Sequence, residues 1–111
     1  MPRDSRVYLE DILDATRKIT SYTGSLSKAA FLGDEKTIDA VVRNLEVIGE
    51  AVKKLPEDIR AQHSSVEWKK IAGLRDILIH EYFGLDAEIV WDIVRNKVPA
   101  LDREVRTMLN Q

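Results

Sequence analysis

Apolar residues recur along this chain at intervals of three and four positions, the spacing of one face of an α-helix. The first such stretch predicts a helix from Ser5 to Tyr22, with Gly24 as its stop. Its stripe consists of Tyr8, Ile12, Ala15, Ile19 and Tyr22. A short turn from Ser27 to Leu32 is predicted to follow.

The clearest periodic stretch lies between Asp34, a predicted N-cap, and Pro56, which ends the helix. Its stripe consists of Ile38, Val41, Leu45, Ile48, Val52 and Leu55. A short helix from Pro56 to Gln62 and a loop at residues 63–65, which includes His63, are expected next.

Two further helical regions complete the pattern. Ser65 is the predicted N-cap of a helix with the stripe Trp68, Ile71, Leu74 and Leu78, ending near Phe83 and Gly84. Asp86 is the predicted cap of the last region, in which Ile89, Val90, Ile93 and Val94 should face inward. Pro99 should kink it or start a new turn that carries Leu101, Val105, Met108 and Leu109. No strand alternation is visible, so we expect an all-α, up-and-down bundle of four to five helices.

Composition narrows the class of protein. The 111 residues, 44% hydrophobic and 32% charged, are typical of a single folded domain over residues 1–111. The absence of cysteine excludes disulfides and thiolate chemistry and fits a cytoplasmic location. No apolar run is long enough to span a membrane, so no membrane association is expected. A net charge of −2 counts against a broad nucleic-acid binder, although Lys53, Lys54, Lys69 and Lys70 leave open a local basic cleft or simple solvated faces.

One segment, Arg-Asp-Ile-Leu-Ile-His-Glu-Tyr at residues 75–82, combines a fixed cation, an imidazole and a phenol. Arg75 suits a phosphate and His80 can exchange a proton near neutrality, which suggests phosphodiester chemistry without a metal. Residues five apart on a helix lie about 140° apart around its axis, so these two do not share a face. Either the Arg75 side chain wraps round the helix, or a second copy of the chain completes the cleft. We favour the second hypothesis, a C2 homodimer.

The wider wording around this segment, residues 68–86, closely resembles the signature of HepT-like toxins of the HEPN ribonuclease superfamily. The hallmark Arg-x4-His-x-Tyr is met by Arg75, His80 and Tyr82, with Asp76 as the polar residue after the arginine. The resemblance extends to residues 43–51 and 90–99 and so covers most of the chain.

The resemblance implies a HEPN-like helical, homodimeric, metal-independent endoribonuclease that acts as the toxin of a type VII toxin–antitoxin pair. Its RNA substrate is tRNA or mRNA, and no cofactor or metal is expected. The antitoxin in such systems is an MntA-like minimal nucleotidyltransferase, which attaches AMP to the motif tyrosine, here Tyr82. His80 and Arg75 would be the catalytic residues, Asp76 a supporting one. Glu46 and Glu50 could orient the site or form a solvated acidic face, and Trp68 and Trp91 are expected in the core or a dimer contact.

A non-catalytic helical dimer that binds a nucleotide or a protein, with Arg75 holding a phosphate, is the alternative. A third hypothesis is a plain interaction module in which Arg75, Asp76 and His80 form a structural network.

Overall fold

A computed structural model describes residues 3–80 and 86–111, with side chains for residues 4–74 and 86–111. Within these ranges the chain forms seven helices and no strand, which confirms the all-α class. Five helices have ten or more residues: α1 (Arg3–Thr23), α3 (Glu35–Lys54), α5 (Trp68–His80), α6 (Ala87–Asn96) and α7 (Val98–Leu109). Two are short: α2 (Lys28–Leu32) and α4 (Glu57–Gln62).

Helix α3 lies at the centre of the bundle. It packs along α1 on one side and α5 on the other, while α7 packs against α1 and α6. The core is formed where these helices meet and contains mainly aliphatic side chains, among them Leu9, Ile12, Ile19, Val41, Leu45, Ile48, Val52, Val90, Val105 and Met108. Burial of this amphipathic surface, more than intrinsic helix propensity, stabilises helices of this length.

Side chains at the helix starts explain several of the boundaries. Asp34 accepts a hydrogen bond from the backbone N–H of Thr37 at 3.1 Å, and Asp86 accepts one from Glu88 at 2.9 Å, so both predicted N-caps are confirmed. Pro99 lies in the first turn of α7, where its missing N–H costs no intrahelical bond. It therefore starts a new helix rather than kinking the preceding one, which confirms the second of the two predictions for this proline.

The predicted turn at residues 27–32 is instead the short helix α2. The hydroxyl of Ser27 caps it by accepting a hydrogen bond from the N–H of Ala30 at 3.1 Å. Phe31 is fully buried, and its ring centroid lies 5.0 Å from that of Trp91. This aromatic contact stabilises a helix of five residues that could not persist alone.

Two predicted inward-facing residues are exposed. The side of α1 that packs on the bundle carries Thr23 rather than Tyr22, which is 41% exposed. Thr23 can be buried because its hydroxyl donates to the carbonyl of Ile19 at 2.8 Å. On α6, Val90 and Val94 form the buried face, while Ile89 is 60% exposed. Tyr8 packs at the edge of the core, as expected of a packing residue.

Candidate active site

The motif predicted from the sequence lies on the C-terminal half of α5. The backbone at positions 75, 76 and 80 is helical, since α5 runs from Trp68 to His80. The side chains of Arg75, Asp76 and His80, the whole of Tyr82, and the predicted stop at Phe83 and Gly84 lie outside the described residues. What the structure describes is how α5 is positioned and which surfaces adjoin it.

Trp68 anchors the start of α5. Its indole is buried, and Nε1 donates a hydrogen bond to the carbonyl of His63 at 2.9 Å. His63 is the loop residue that the sequence predicts, but its side chain is only 10% exposed, and Nδ1 lies 3.2 Å from Oε1 of Glu104 on α7. The loop before α5 is therefore tied both to the helix that follows and to α7. The core position of Trp68 agrees with its expected packing role.

The predicted N-cap of α5 at Ser65 is wrong, because the helix begins three residues later, at Trp68. Residues 63–67 are held by other bonds: the N–H of Val66 donates to the carbonyl of His63, and that of Trp68 donates to the carbonyl of Val66. The carboxylate of Glu67 lies 3.2 Å from Nζ of Lys97 at the end of α6. These contacts favour a turn over an earlier start of the helix.

Beyond Trp68, the described part of α5 rests on the bundle through Ile71, Ala72 and Leu74, which are half-buried and pack against the core. Because α5 lies along α3, the motif is carried by a packed helix rather than a loop. Functional groups on packed elements are held more precisely than groups on loops.

A basic groove opens at the start of α5, between this helix and α4. Its volume is about 460 Å³. Among its lining residues are Glu57, Arg60, Ser64, Glu67, Lys69 and Lys70. Arg60, which no motif in the sequence singles out, lines the same groove as Lys69 and Lys70. Only the tertiary structure brings these three cations together.

Glu67 lies at the edge of the basic groove and is engaged by two cations. Its carboxylate lies 2.7 Å from Nζ of Lys70 and 3.2 Å from Nζ of Lys97. Hydrogen bonds from Lys70 and then Lys97 lower the pKa of Glu67, and the bond to Glu67 raises the pKa of Lys70. Both groups stay ionised around neutral pH, which leaves Lys69 and Arg60 as the cations of the groove without an ion pair among the described residues.

A second, polar groove of about 380 Å³ lies between α1 and α3. Its lining includes Asp11, Arg43, Glu46, Glu50 and Lys54. Glu46 and Glu50 are half-buried along this groove rather than on a fully solvated face, while Lys53 and Lys54 at the end of α3 are exposed. Nζ of Lys54 lies 5.8 Å from the centre of the Tyr8 ring. A third groove of about 520 Å³ separates α5 from α6 and α7.

Two further properties concern the described residues as a whole. No group of three or more His, Asp or Glu side chains among them is arranged to hold a metal ion. None of their helices is both long and apolar enough to cross a membrane.

Known proteins match almost the whole chain. The family described as Ribonuclease HepT-like matches residues 12–108. The chain is 50% identical over 110 residues to "Putative RNase MJ0127" of Methanocaldococcus jannaschii, an alignment that covers 98% of this chain and 91% of that protein. It is 43% identical over 106 residues to "Putative RNase TTE0752" of Caldanaerobacter subterraneus subsp. tengcongensis, covering 96% and 95% of the two chains.

A third relative is "Probable ribonuclease HepT" of Thermococcus cleftensis, which is 43% identical over 101 residues, covering 91% of this chain and 92% of that protein. No solved structure matches the chain significantly. Because the family match spans the central helices and the motif at residues 75–82, this chain belongs to the HepT-like ribonuclease family.

Proposed function

We propose that this chain is a metal-independent endoribonuclease and the toxin of a toxin–antitoxin pair. The observation that carries the proposal is the match to a ribonuclease family over residues 12–108, which includes Arg75, His80 and Tyr82 in the family's motif spacing. The names of the relatives, which describe them as RNases, support the same class of reaction.

The chemistry that fits these residues is intramolecular. The ribose 2′-oxygen attacks the adjacent phosphorus, a 2′-O–P bond forms, and the bond from phosphorus to the 5′-oxygen of the next nucleotide breaks. A base takes the proton of the 2′-hydroxyl, and an acid gives a proton to the leaving 5′-oxygen. His80 serves as one of these two groups, a role worth typically about 10²- to 10⁴-fold in rate. Arg75 holds the phosphate oxygens as negative charge builds on them, and Asp76 orients His80. The product carries a 2′,3′-cyclic phosphate.

The direct test is cleavage of single-stranded RNA in the presence of EDTA, with DNA of the same sequence as the control. We expect RNA cleavage with a cyclic phosphate end and no cleavage of DNA, which lacks the attacking hydroxyl. Arg75→Ala and His80→Ala should each lower the rate by about 10²-fold or more. A parent protein that binds RNA without cutting it, and loses binding only in Arg75→Ala, would instead identify a phosphate-binding module.

The approximately 140° between positions 75 and 80 on α5 favours a site shared by two copies of the chain. Mixing Arg75→Ala with His80→Ala tests this directly. If each site takes its arginine from one copy and its histidine from the other, half of all dimers pair the two variants. Each of these has one intact site of two, so about a quarter of the parent activity returns. No recovery after mixing, with subunit exchange confirmed by mass, would place both residues of a site in one chain.

The proposed partner is an MntA-like nucleotidyltransferase that adds AMP to Tyr82 in the cytoplasm. The added phosphate would bring negative charge and bulk to the motif and repel the RNA backbone. The protein produced together with an active partner should gain the mass of one or more AMP groups at Tyr82. Tyr82→Phe should gain none and should stay active, whereas modification at another residue would contradict the scheme.

A further inference from the structure

The basic groove between α4 and the start of α5 is lined by more cations than carboxylates. Its three cations, Arg60, Lys69 and Lys70, face two carboxylates, Glu57 and Glu67. Glu67 is shared between Lys70 and Lys97, a cation outside the groove, so its charge is already balanced. The remaining cations, Arg60 and Lys69, outweigh Glu57. The groove therefore attracts anions even though the chain as a whole is slightly acidic.

Arg60 in particular lacks a protein partner at one edge. Its Nε is buried, yet no acceptor among the described residues lies within hydrogen-bond distance. A buried donor without an acceptor is costly, above all when it belongs to a charged group. A guanidinium presents parallel N–H donors that match two oxygens of one phosphate. Arg60 lines the groove, so an anion there would meet its guanidinium, although not at the buried Nε.

The backbone adds to this attraction. Lys69 and Lys70 lie in the first turn of α5, a helix of 13 residues. The N–H of Trp68 in that turn donates to the carbonyl of Val66, whereas those of Lys69 and Lys70 have no intrahelical acceptor. The positive end of the helix dipole therefore points to the side of the groove where Lys69 and Lys70 lie, and phosphates favour such positions.

The helical register connects the groove to the motif. Positions 76 and 80 come seven and eleven residues after Lys69, about two and three turns, so all three fall on one face of α5. Position 80 lies about 16 Å from Lys69 along the axis. Gly73 occupies the same face between them, and a Cβ built on it meets no atom of the described structure within 4 Å. A side chain at position 73 could therefore project from this face without meeting the described residues.

We propose that the basic groove binds a backbone phosphate of the RNA a few nucleotides away from the cleaved linkage, and that the strand runs along α5 over Gly73 to His80. This inference rests on the proposed function, since it takes single-stranded RNA as the ligand. Arg60 and Lys69 supply affinity and register but do not take part in the bond changes.

The first experiment measures binding of a 2′-O-methyl RNA dodecamer, which cannot be cleaved, over a range of salt concentrations. Lys69→Gln should lower the slope of log affinity against log salt by about 0.7 and weaken binding about fourfold near 0.15 M salt, the effect of losing one contact to a single strand. Lys36→Gln is the matched control, because Lys36 is exposed on α3 and lines none of the three grooves. It should leave both quantities unchanged. Equal slopes in all three proteins would overturn the inference.

The second experiment closes the path at Gly73. Gly73→Ala and Gly73→Gln both improve helix propensity, so both variants should melt at or above the parent temperature. Only Gly73→Gln places a long side chain over the face, and it should weaken binding of the dodecamer several-fold. If Gly73→Gln binds the dodecamer as tightly as Gly73→Ala does, the RNA strand does not run along this face.

Cleavage assays separate this inference from the proposed function. Lys69→Gln should cleave a dinucleoside monophosphate, which has no outlying phosphate, as fast as the parent, and should cleave the dodecamer more slowly at low concentration. Suppose that the parent cuts RNA and that Lys69→Gln cleaves the dodecamer as fast as the parent does. The proposed phosphate site in the groove would then be refuted, and the ribonuclease activity would stand. A parent that binds through Lys69 but cuts no RNA would refute the ribonuclease and leave the groove as a phosphate site.

Discussion

Replacing Thr16 by Val removes a hydrogen bond that links α1 to α7 without changing the shape of the side chain. Thr16 is fully buried, and its Oγ1 donates to Oδ2 of Asp102 at 2.7 Å. The same hydroxyl lies 2.9 Å from the carbonyl of Leu13. The Asp102 side chain is 18% exposed and also accepts from Nε of Arg106 at 2.6 Å. Because the acceptor is a carboxylate that is mostly buried, the loss should cost about 1.5–3 kcal/mol of unfolding free energy.

This hydrogen bond also predicts a pH dependence. Burial raises the pKa of Asp102, but hydrogen bonds from Arg106 and Thr16 and the charges of Arg106 and Arg17 outweigh it, so the pKa lies below its usual range. A carboxyl with a lowered pKa contributes stability above its unfolded pKa and loses that contribution as pH falls through the folded value. The gap between the parent and Thr16→Val should therefore be full at pH 7. It should narrow only below about pH 4, where a neutral carboxyl accepts a weaker bond.

Urea unfolding followed by circular dichroism at neutral and acidic pH measures both effects. Thr20→Val is the matched control: the same substitution on the same helix, at an exposed position, with the same change in helix propensity. We expect Thr20→Val to change the unfolding free energy by less than about 0.5 kcal/mol. If Thr16→Val is no less stable than Thr20→Val at pH 7, the hydrogen bond to Asp102 does not stabilise the bundle.

Three further substitutions are expected to separate the roles of individual side chains. Phe31→Ala should cost about 3–5 kcal/mol in urea unfolding, since the ring is fully buried, while half-buried Leu32→Ala should cost less. Asp34→Ala should lower the urea midpoint at neutral pH. Because hydrogen bonds from Thr37 lower the pKa of Asp34, the difference from the parent should shrink at pH values below the usual pKa range of Asp. A difference that stays constant with pH would contradict the capping role. Ile89→Ser should shift the unfolding free energy by less than about 0.5 kcal/mol, and a large loss would show that this exposed side chain is covered in an assembly.

Local sequence signals predicted the fold where one residue sufficed to decide a boundary. Asp34, Asp86 and Pro99 act within a turn of their own position, so their effects could be inferred without knowing what packs nearby. Ser65 failed as a cap because contacts from other helices, at His63 and Glu67, compete with a helical start. Where contacts from other helices decide a helix start, the local sequence pattern cannot predict it.

Periodicity alone also left the exact face of a helix uncertain by one position. On α1 a step of three from Ile19 leads to Tyr22 and a step of four leads to Thr23, and the buried residue is Thr23. The candidate site could likewise be predicted only in part. The residues of the motif follow from the sequence, but the basic groove depends on α4 and α5 placing Arg60 and Lys69 along one surface, which no spacing along the chain reveals.

The buried indole of Trp68 sets the rotational phase of the helix that carries the motif. Lengthening the loop before it by a residue would be absorbed at Ser64 and Ser65, which are exposed. One residue inserted between Trp68 and Arg75 would instead turn every later position by about 100° and advance it by about 1.5 Å. An insertion at these two exposed serines should accordingly be tolerated, while a single-codon insertion or deletion between the indole and the motif should abolish activity.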